Sequence, residues 1–264
     1  RSGSGIYLTS SHNISISDGV INNCGWGIYL FGSSTNYIGG DLGINNNQND
    51  GILLSSTSNR NRVVDVTLIG NNLGSLTGGA ILMESGEYNY FENINLQSNT
   101  LAGILVSSNN NNFTSITAQI NQNGIYLENA DNNYFANILT SGNLVFPSAP
   151  DKGMGIYLAG MSGSDNNVFT NVLSYGNTED GVKLDSSTNN VFINLSSTSN
   201  SNGGLYFEGG VSNNNFTNIT LDSNNFWGLY INSVASNDNN NFFNISANSI
   251  INIKICIKIG VSRN

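Results

Sequence analysis

A stripe of tyrosines and carboxylates is the part of the sequence with the clearest chemical use. Tyrosine recurs two residues after a glycine in a short repeated motif, and in seven of the ten copies an acidic or hydroxyl residue stands two positions further on. Aromatic rings stack on sugars, while carboxylates accept hydrogen bonds from sugar hydroxyls. The pattern predicts a glycan-binding face; the alternative is that tyrosine favours exposed strand positions and stacks on itself. The candidate glycan-binding residues are Tyr126, Glu128, Tyr157, Tyr206, Glu208 and Tyr230.

Catalytic chemistry has few candidates. Asp185 and Glu208 stand at equivalent positions of successive copies, with Lys183 beside them and Glu179 and Asp180 just before. Two neighbouring carboxylates can share acid and base roles in glycoside cleavage. A solvated acidic face explains the same residues, so we expect a protein that is not an enzyme, with Asp185, Glu208 and Lys183 as the only catalytic candidates.

Composition argues against a metal, a cofactor and a nucleic-acid partner. The chain has one histidine, His12, three methionines and two cysteines, Cys24 and Cys256, at opposite ends of the repeats. With rungs about 4.8 Å apart, these two thiols would lie roughly 40–50 Å from each other, too far for a disulfide. The net charge is −9 without a cluster of Lys or Arg, which nucleic-acid binding requires. No apolar run is long enough to span a membrane.

These residues must be positioned by a repeat of about 20–30 residues, the period of a solenoid. In each copy, an Asn is followed after two residues by a large apolar residue, after two more by a small polar one, and then by an aliphatic one. Six residues past the third column, seven of eight copies carry another Asn. The first column is Asn61, Asn89, Asn111, Asn133, Asn167, Asn190, Asn214 and Asn240. The second is Val63, Phe91, Phe113, Phe135, Phe169, Phe192, Phe216 and Phe242.

A glycine and a short alternating strand open each copy, as in Gly124-Ile-Tyr-Leu, and only Ala80 replaces the glycine. Such short strands need parallel pairing between successive copies to be stable. Asn suits bends of left-handed geometry, and stacked identical amides can hydrogen-bond along the axis. The sequence therefore predicts an all-β fold, a right-handed single-stranded parallel β-helix of about ten turns.

The motif GIYL…NNYFANIL…N resembles the parallel β-helix repeat of NosD-like periplasmic proteins and of the carbohydrate-binding and sugar-hydrolase repeat group, which includes many archaeal and bacterial surface proteins. The resemblance covers about residues 5–250 and is specific for fold rather than function. NosD-like proteins are associated with copper-site maturation, but this chain lacks the ligands, so no copper site is carried over. Similar lyases, galacturonases and epimerases imply Asp clusters with Arg, Lys or His, and those motifs are missing here.

We expect one domain over residues 1–264, with loop insertions at 70–79 and 143–154. The second insertion holds both prolines and is either a binding loop or a tolerated surface loop. Residues 250–264 are predicted to form a C-terminal edge or capping strand, whose lysines discourage further pairing. The first turn starts at once, so we expect either preceding chain or an edge that docks on another molecule.

Sequons offer attachment points for glycans in a suitable host. Asn13, Asn112 and Asn215 are the candidates for glycosylation. Three further sequons lie in the third column, which we expect to be packed; they begin at Asn194, Asn218 and Asn244.

The uniform repeat and the sparse charge, 9% of residues, favour a structural or adhesive protein of the extracellular space or cell surface, self-assembling end to end into a filament or layer. The alternative is a polysaccharide-binding or polysaccharide-degrading β-helix. The expected partners are copies of itself or flanking β-helix segments, and a polysaccharide, with no cofactor.

Overall fold

The computed structural model describes residues 3–74, 78–145, 152–232 and 237–248. They form a parallel β-solenoid of about ten turns, which confirms the predicted fold class. Sheet A contains the strand that opens each turn: β1 (Ser4–Thr9), β4 (Trp26–Phe31), β6 (Ile52–Ser55), β8 (Gly79–Met83), β10 (Ala102–Val106), β12 (Asn123–Glu128), β14 (Ile156–Ala159), β16 (Val182–Asp185), β18 (Gly203–Glu208) and β20 (Trp227–Ile231).

Sheet B contains the second strand of each turn, through the phenylalanine column. Its members are β2 (Ser15–Ser17), β3 (Val20–Asn22), β5 (Tyr37–Asn45), β7 (Arg62–Ile69), β9 (Tyr90–Gln97), β11 (Asn112–Gln119), β13 (Tyr134–Ser141), β15 (Val168–Tyr175), β17 (Val191–Thr198), β19 (Asn215–Thr220) and β21 (Asn241–Ser246). Equivalent residues pair from turn to turn, for example Ile104 with Ile125 and Phe113 with Phe135. Like therefore stacks on like along the axis.

The core between the two sheets is a stack of phenylalanine rings flanked by aliphatic columns. Successive rings from Phe91 to Phe242 lie nearly parallel, with centroids 4.6 Å apart between Phe113 and Phe135 and 5.0 Å apart between Phe192 and Phe216. Phe91, Phe113 and the next four members are fully buried. Offset or parallel aromatic contacts add to the area that each ring removes from water.

Two buried asparagine ladders run along the bends. In the first, the Asn61 amide nitrogen donates to Asn89 Oδ1 at 3.1 Å, and the Asn61 backbone N–H donates to the same oxygen at 2.8 Å. The second ladder repeats this pattern between Asn71 and Asn99. Each amide thus satisfies buried backbone groups that the bends would leave unpaired.

The left-handed bends lie one residue earlier than the first ladder and in the third column. Asn110 and Asn132 have φ of 60° and 57°, and Asn194 and Asn218 both have 57°. Positive φ turns the third-column side chains outward, so the expectation that this column is packed was wrong. Asn194, Asn218 and Asn244 are exposed and form a surface ladder.

Close approach between rungs explains the glycine column. A Cβ on Gly103 would lie 2.6 Å from the Gly124 carbonyl oxygen, and one on Gly124 would lie 2.5 Å from that of Gly155. A side chain in this column would therefore collide with the backbone of the next rung. Ala80, the one residue that replaces a glycine in this column, is fully buried.

Parts of the insertions and the predicted C-terminal strand lie outside the described residues. The description omits 75–77, 146–151 and all of 249–264, which includes Cys256. The domain boundaries thus stay predictions. No helix in the described part of the chain is long and apolar enough to cross a membrane.

Candidate functional site: the outer face of sheet A

The register of sheet A brings the predicted glycan-binding residues into two adjacent columns. Tyr126 pairs with Tyr157, and the column continues through Lys183 to Tyr206 and Tyr230. We call these five residues the tyrosine column. Its parallel neighbours include Glu128 opposite Ala159, and Asp185 opposite Glu208. Strand alternation places them outward, since the intervening residues are buried in the core.

The tyrosines stack on one another, the alternative that the sequence left open. The rings of Tyr126 and Tyr157 lie 5.0 Å apart at 8°, and those of Tyr206 and Tyr230 lie 5.2 Å apart at 26°. Tyr157 is 6% exposed and packs with Met154. Its ring faces are covered, so a sugar on this column would meet ring edges and hydroxyls rather than open faces.

Lys183 is buried in the middle of the column. Its Nζ lies 2.7 Å from Glu208 Oε2, and 5.0 Å and 5.4 Å from the ring centroids of Tyr157 and Tyr206. The carboxylate and the two π faces offset the loss of hydration of the ammonium. Glu208 keeps 40% of its side chain exposed, so it remains within reach of a ligand.

The catalytic candidates lie together, as expected from their spacing. Asp185 and Glu208 are paired across adjacent strands, about 4.8 Å apart along the axis. Ser186 Oγ donates to Asp185 Oδ1 at 3.0 Å. The Asp185 carboxylate is thus held by a hydroxyl, and the Glu208 carboxylate by Lys183. Both are therefore suited to accept hydrogen bonds from a ligand in a fixed orientation. A catalytic role for this pair stays a prediction.

Asp180, which precedes the catalytic candidates in the sequence, is a buried titratable group. It is 2% exposed, and its Oδ1 accepts a hydrogen bond from the Gly203 backbone N–H at 2.9 Å. Burial, and then the negative charge of Glu179, raise the pKa of its carboxyl to about 7. Asp50 sits at the equivalent position five turns earlier and accepts from the Gly79 N–H at 3.1 Å. Both aspartates therefore link one rung to the next through a backbone hydrogen bond. The shared position, directly before a column glycine, is visible in the sequence.

The glycosylation candidates differ in exposure. Asn13 and Asn215 are exposed, whereas Asn112 is half-buried and its Oδ1 accepts from Thr114 Oγ1 at 3.2 Å. Their modification stays a prediction.

Comparison with known proteins places this geometry among β-helices. A family model described as periplasmic copper-binding protein (NosD) matches residues 1–174. The periplasmic alginate epimerase AlgG is similar in structure, with a TM-score of 0.60 and 12% identity over 84% of this chain and 61% of that chain. The enzymatically active domain of tailspike protein 2 of bacteriophage CBA120 gives 0.55 and 13% over 89% and 39%. This chain thus spans less than two thirds of either one. No curated protein matches the sequence.

The copper named in that family description does not fit the described residues of this chain. His12 Nδ1 lies 3.3 Å from the Ser34 backbone nitrogen, and the Cys24 thiol donates to the Asn22 carbonyl. Met83 is buried in the core, and Met161 is fully exposed. No group of three His, Cys, Asp or Glu side chains that could hold a metal ion occurs in the described ranges. A copper site needs such ligands to converge.

Proposed function

The chain belongs to the NosD family, and we propose that it acts outside the cytoplasm as a β-solenoid that binds a polysaccharide on the outer face of sheet A without cleaving it. This proposal joins the adhesive role predicted from the sequence to its polysaccharide alternative. The periplasmic description of the family supports the location. A fold shared with an alginate epimerase supports the ligand class.

One observation carries the proposal: hydroxyls and carboxylates stand outward at intervals of one rung. Tyr126 and Tyr230 are half-buried, exposed Glu128 lies on the same strand as Tyr126, and Glu208 is partly exposed. A rung of about 4.8 Å approaches the length of one sugar in an extended chain. An extended glycan could therefore contact Tyr126 and Glu128 on one rung, and Glu208 and Tyr230 on later rungs.

The contacts that engage the Glu208 and Asp180 carboxyl groups favour glycan binding over glycan cleavage. Lys183 holds Glu208, and the Asp180 carboxyl is enclosed and bonded to the Gly203 N–H. A general acid must reach the glycosidic oxygen, and Asp180 lacks that access because it is buried.

Affinity electrophoresis against a panel of polysaccharides tests the proposal. We expect retardation by at least one glycan, and a weaker retardation for Tyr126→Ala and Tyr230→Ala. Tyr134→Ala is the matched control, because Tyr134 is a 40% exposed tyrosine on sheet B. Equal retardation of all variants would argue against the sheet A face, and no retardation by any glycan would rule out the proposed function.

End-to-end assembly is the second candidate function. The same parallel register runs from β1 to β20, so a second copy could extend the array by the pairing that each interior strand uses. Electron microscopy across a dilution series should then reveal fibres with a repeat of about 50 Å, the length of ten rungs. Short rods of one length at every concentration would contradict it.

A further inference from the structure

A polar groove of about 420 Å³ runs along the corner where β8, β10 and β12 end. It crosses four successive turns, from Thr57 and Asn59 through Glu84 and Glu87 to Asn129. Its lining residues are all polar or glycine, and none is a lysine or an arginine. Gly86 makes the turn possible, since its φ is 123° and a Cβ there would collide with the Ser58 carbonyl oxygen.

The groove continues the outer face of sheet A. Met83, Val106 and Leu127 are equivalent in the sheet register, so Glu84, Ser107 and Glu128, which follow them, share one outward column. Neither Glu84 nor Glu87 has a hydrogen-bonding or ionic partner for its carboxylate among the described residues. Both carboxylates are therefore available as acceptors within the groove, in contrast to Glu208.

A tyrosine follows the lining residue Glu87 in the sequence, at a bend whose backbone geometry disfavours an aromatic residue. Tyr88 follows Glu87 directly, has φ of 58° and is 57% exposed. The equivalent bends of later turns carry asparagine, as at Asn110 and Asn132. Left-handed backbone costs a residue with a Cβ about 1–2 kcal/mol, and the exposed ring gains little packing within the fold. The Arg60 guanidinium carbon lies 5.5 Å from the ring centroid. This cation–π contact holds the exposed ring at the surface.

We propose that the groove and Tyr88 form a subsite for a neutral glycan. A sugar ring packs against Tyr88, and Glu84 and Glu87 accept hydrogen bonds from its hydroxyls. The inference rests on the proposed polysaccharide function and adds the substrate class. A polyuronate is disfavoured, because its carboxylates would meet two unpaired glutamates, and the single arginine at the subsite, Arg60, balances only one of them.

Titration calorimetry at low salt with cellohexaose, mannohexaose and hexagalacturonate tests the substrate class. We expect binding of a neutral hexasaccharide at least tenfold tighter than binding of the uronate. Tyr88→Asn should weaken the neutral binding at least tenfold while the protein stays folded, because asparagine is the usual residue at this bend. Glu84→Gln with Glu87→Gln should reduce the preference for the neutral sugar. Tyr134→Asn is the control, since Asn112 occupies the same column.

The outcomes separate this inference from the proposed function. Binding that Tyr126→Ala abolishes and Tyr88→Asn leaves intact would overturn the groove and keep the sheet A face. A preference for hexagalacturonate would overturn the neutral class. Wild-type protein that binds none of the three hexasaccharides but is retarded by a polysaccharide would overturn the groove alone. Wild-type protein that binds no glycan in either assay would overturn both.

Discussion

The contribution of a single residue to stability can be tested where it differs in type from the residues at the equivalent position of neighbouring turns. Ile120 is such a departure, a β-branched residue at φ 56° and 43% exposed, where the neighbouring turns have Ser98 and Gly142. We expect Ile120→Asn to stabilise the protein by about 1 kcal/mol, because asparagine tolerates this geometry. Urea unfolding would measure it. Ile120→Val, which keeps the β-branch, should change nothing, and a lower midpoint for Ile120→Asn would contradict the expectation.

The Asp180 carboxyl gives stability a pH dependence of definite sign. Its pKa is raised from 3.8 to about 7 by burial, then by Glu179. The folded protein thus binds the extra proton between these values, so stability falls as pH rises from about 4 to 7 and is level above. A pKa of about 7 corresponds to a loss of at most about 4 kcal/mol.

Asp180→Asn should therefore stabilise the protein at pH 8 and leave it nearly unchanged at pH 4, because the amide oxygen can still accept from the Gly203 N–H. Thermal unfolding of both proteins at the two pH values measures the difference. Glu179→Gln is the comparison variant and should give a smaller gain at pH 8. A gain of equal size at both pH values would show that ionisation of Asp180 is not the cause.

At the scale of elements, the buried amide ladders hold the bends. Asn121 Oδ1 accepts from both the backbone and the side-chain nitrogen of Asn99, and its Nδ2 donates to the Leu96 carbonyl at 3.1 Å. Asn121→Ala should cost about 2–4 kcal/mol, because it leaves several buried groups unpaired. Asn194→Ser is the control on the exposed ladder and should cost under about 0.5 kcal/mol, since Ser115 occupies the same column. Denaturant unfolding would distinguish them, and equal costs would contradict a structural role for burial.

The sequence determined the elements better than it determined the surface. Columns such as Phe113 and Phe135 recur in one frame, and a repeat has only one way to stack equivalent residues, so the strands, core and ladders were predictable. The direction of the third column was not, because a single left-handed residue such as Asn194 reverses its side chain. The groove was also not predictable from the sequence, because it depends on how Gly86 turns the chain and on which carboxylates remain unpaired.

The whole molecule is a one-dimensional array, in which each rung contacts only its neighbours. Stability should therefore vary along the axis. Rungs from β10 to β16 lie between two described neighbours on each sheet, and their phenylalanines are fully buried. At the end of sheet B, Phe242, the last member of the phenylalanine column, is only partly buried. Local opening is cheapest where the fewest buried contacts are lost.

Hydrogen–deuterium exchange of the intact chain should show this gradient. We expect the amides of β11 and β13 to exchange more slowly than those of β2 and β21, by at least tenfold, because Phe113 and Phe135 are fully buried whereas Ile16 and Phe242 are only partly buried. Phe135→Leu should speed exchange in β11 and β15, which flank it, more than in β2. If the variant instead raised exchange equally in every strand, the chain would unfold as one cooperative unit, and the nearest-neighbour account of its stability would be wrong.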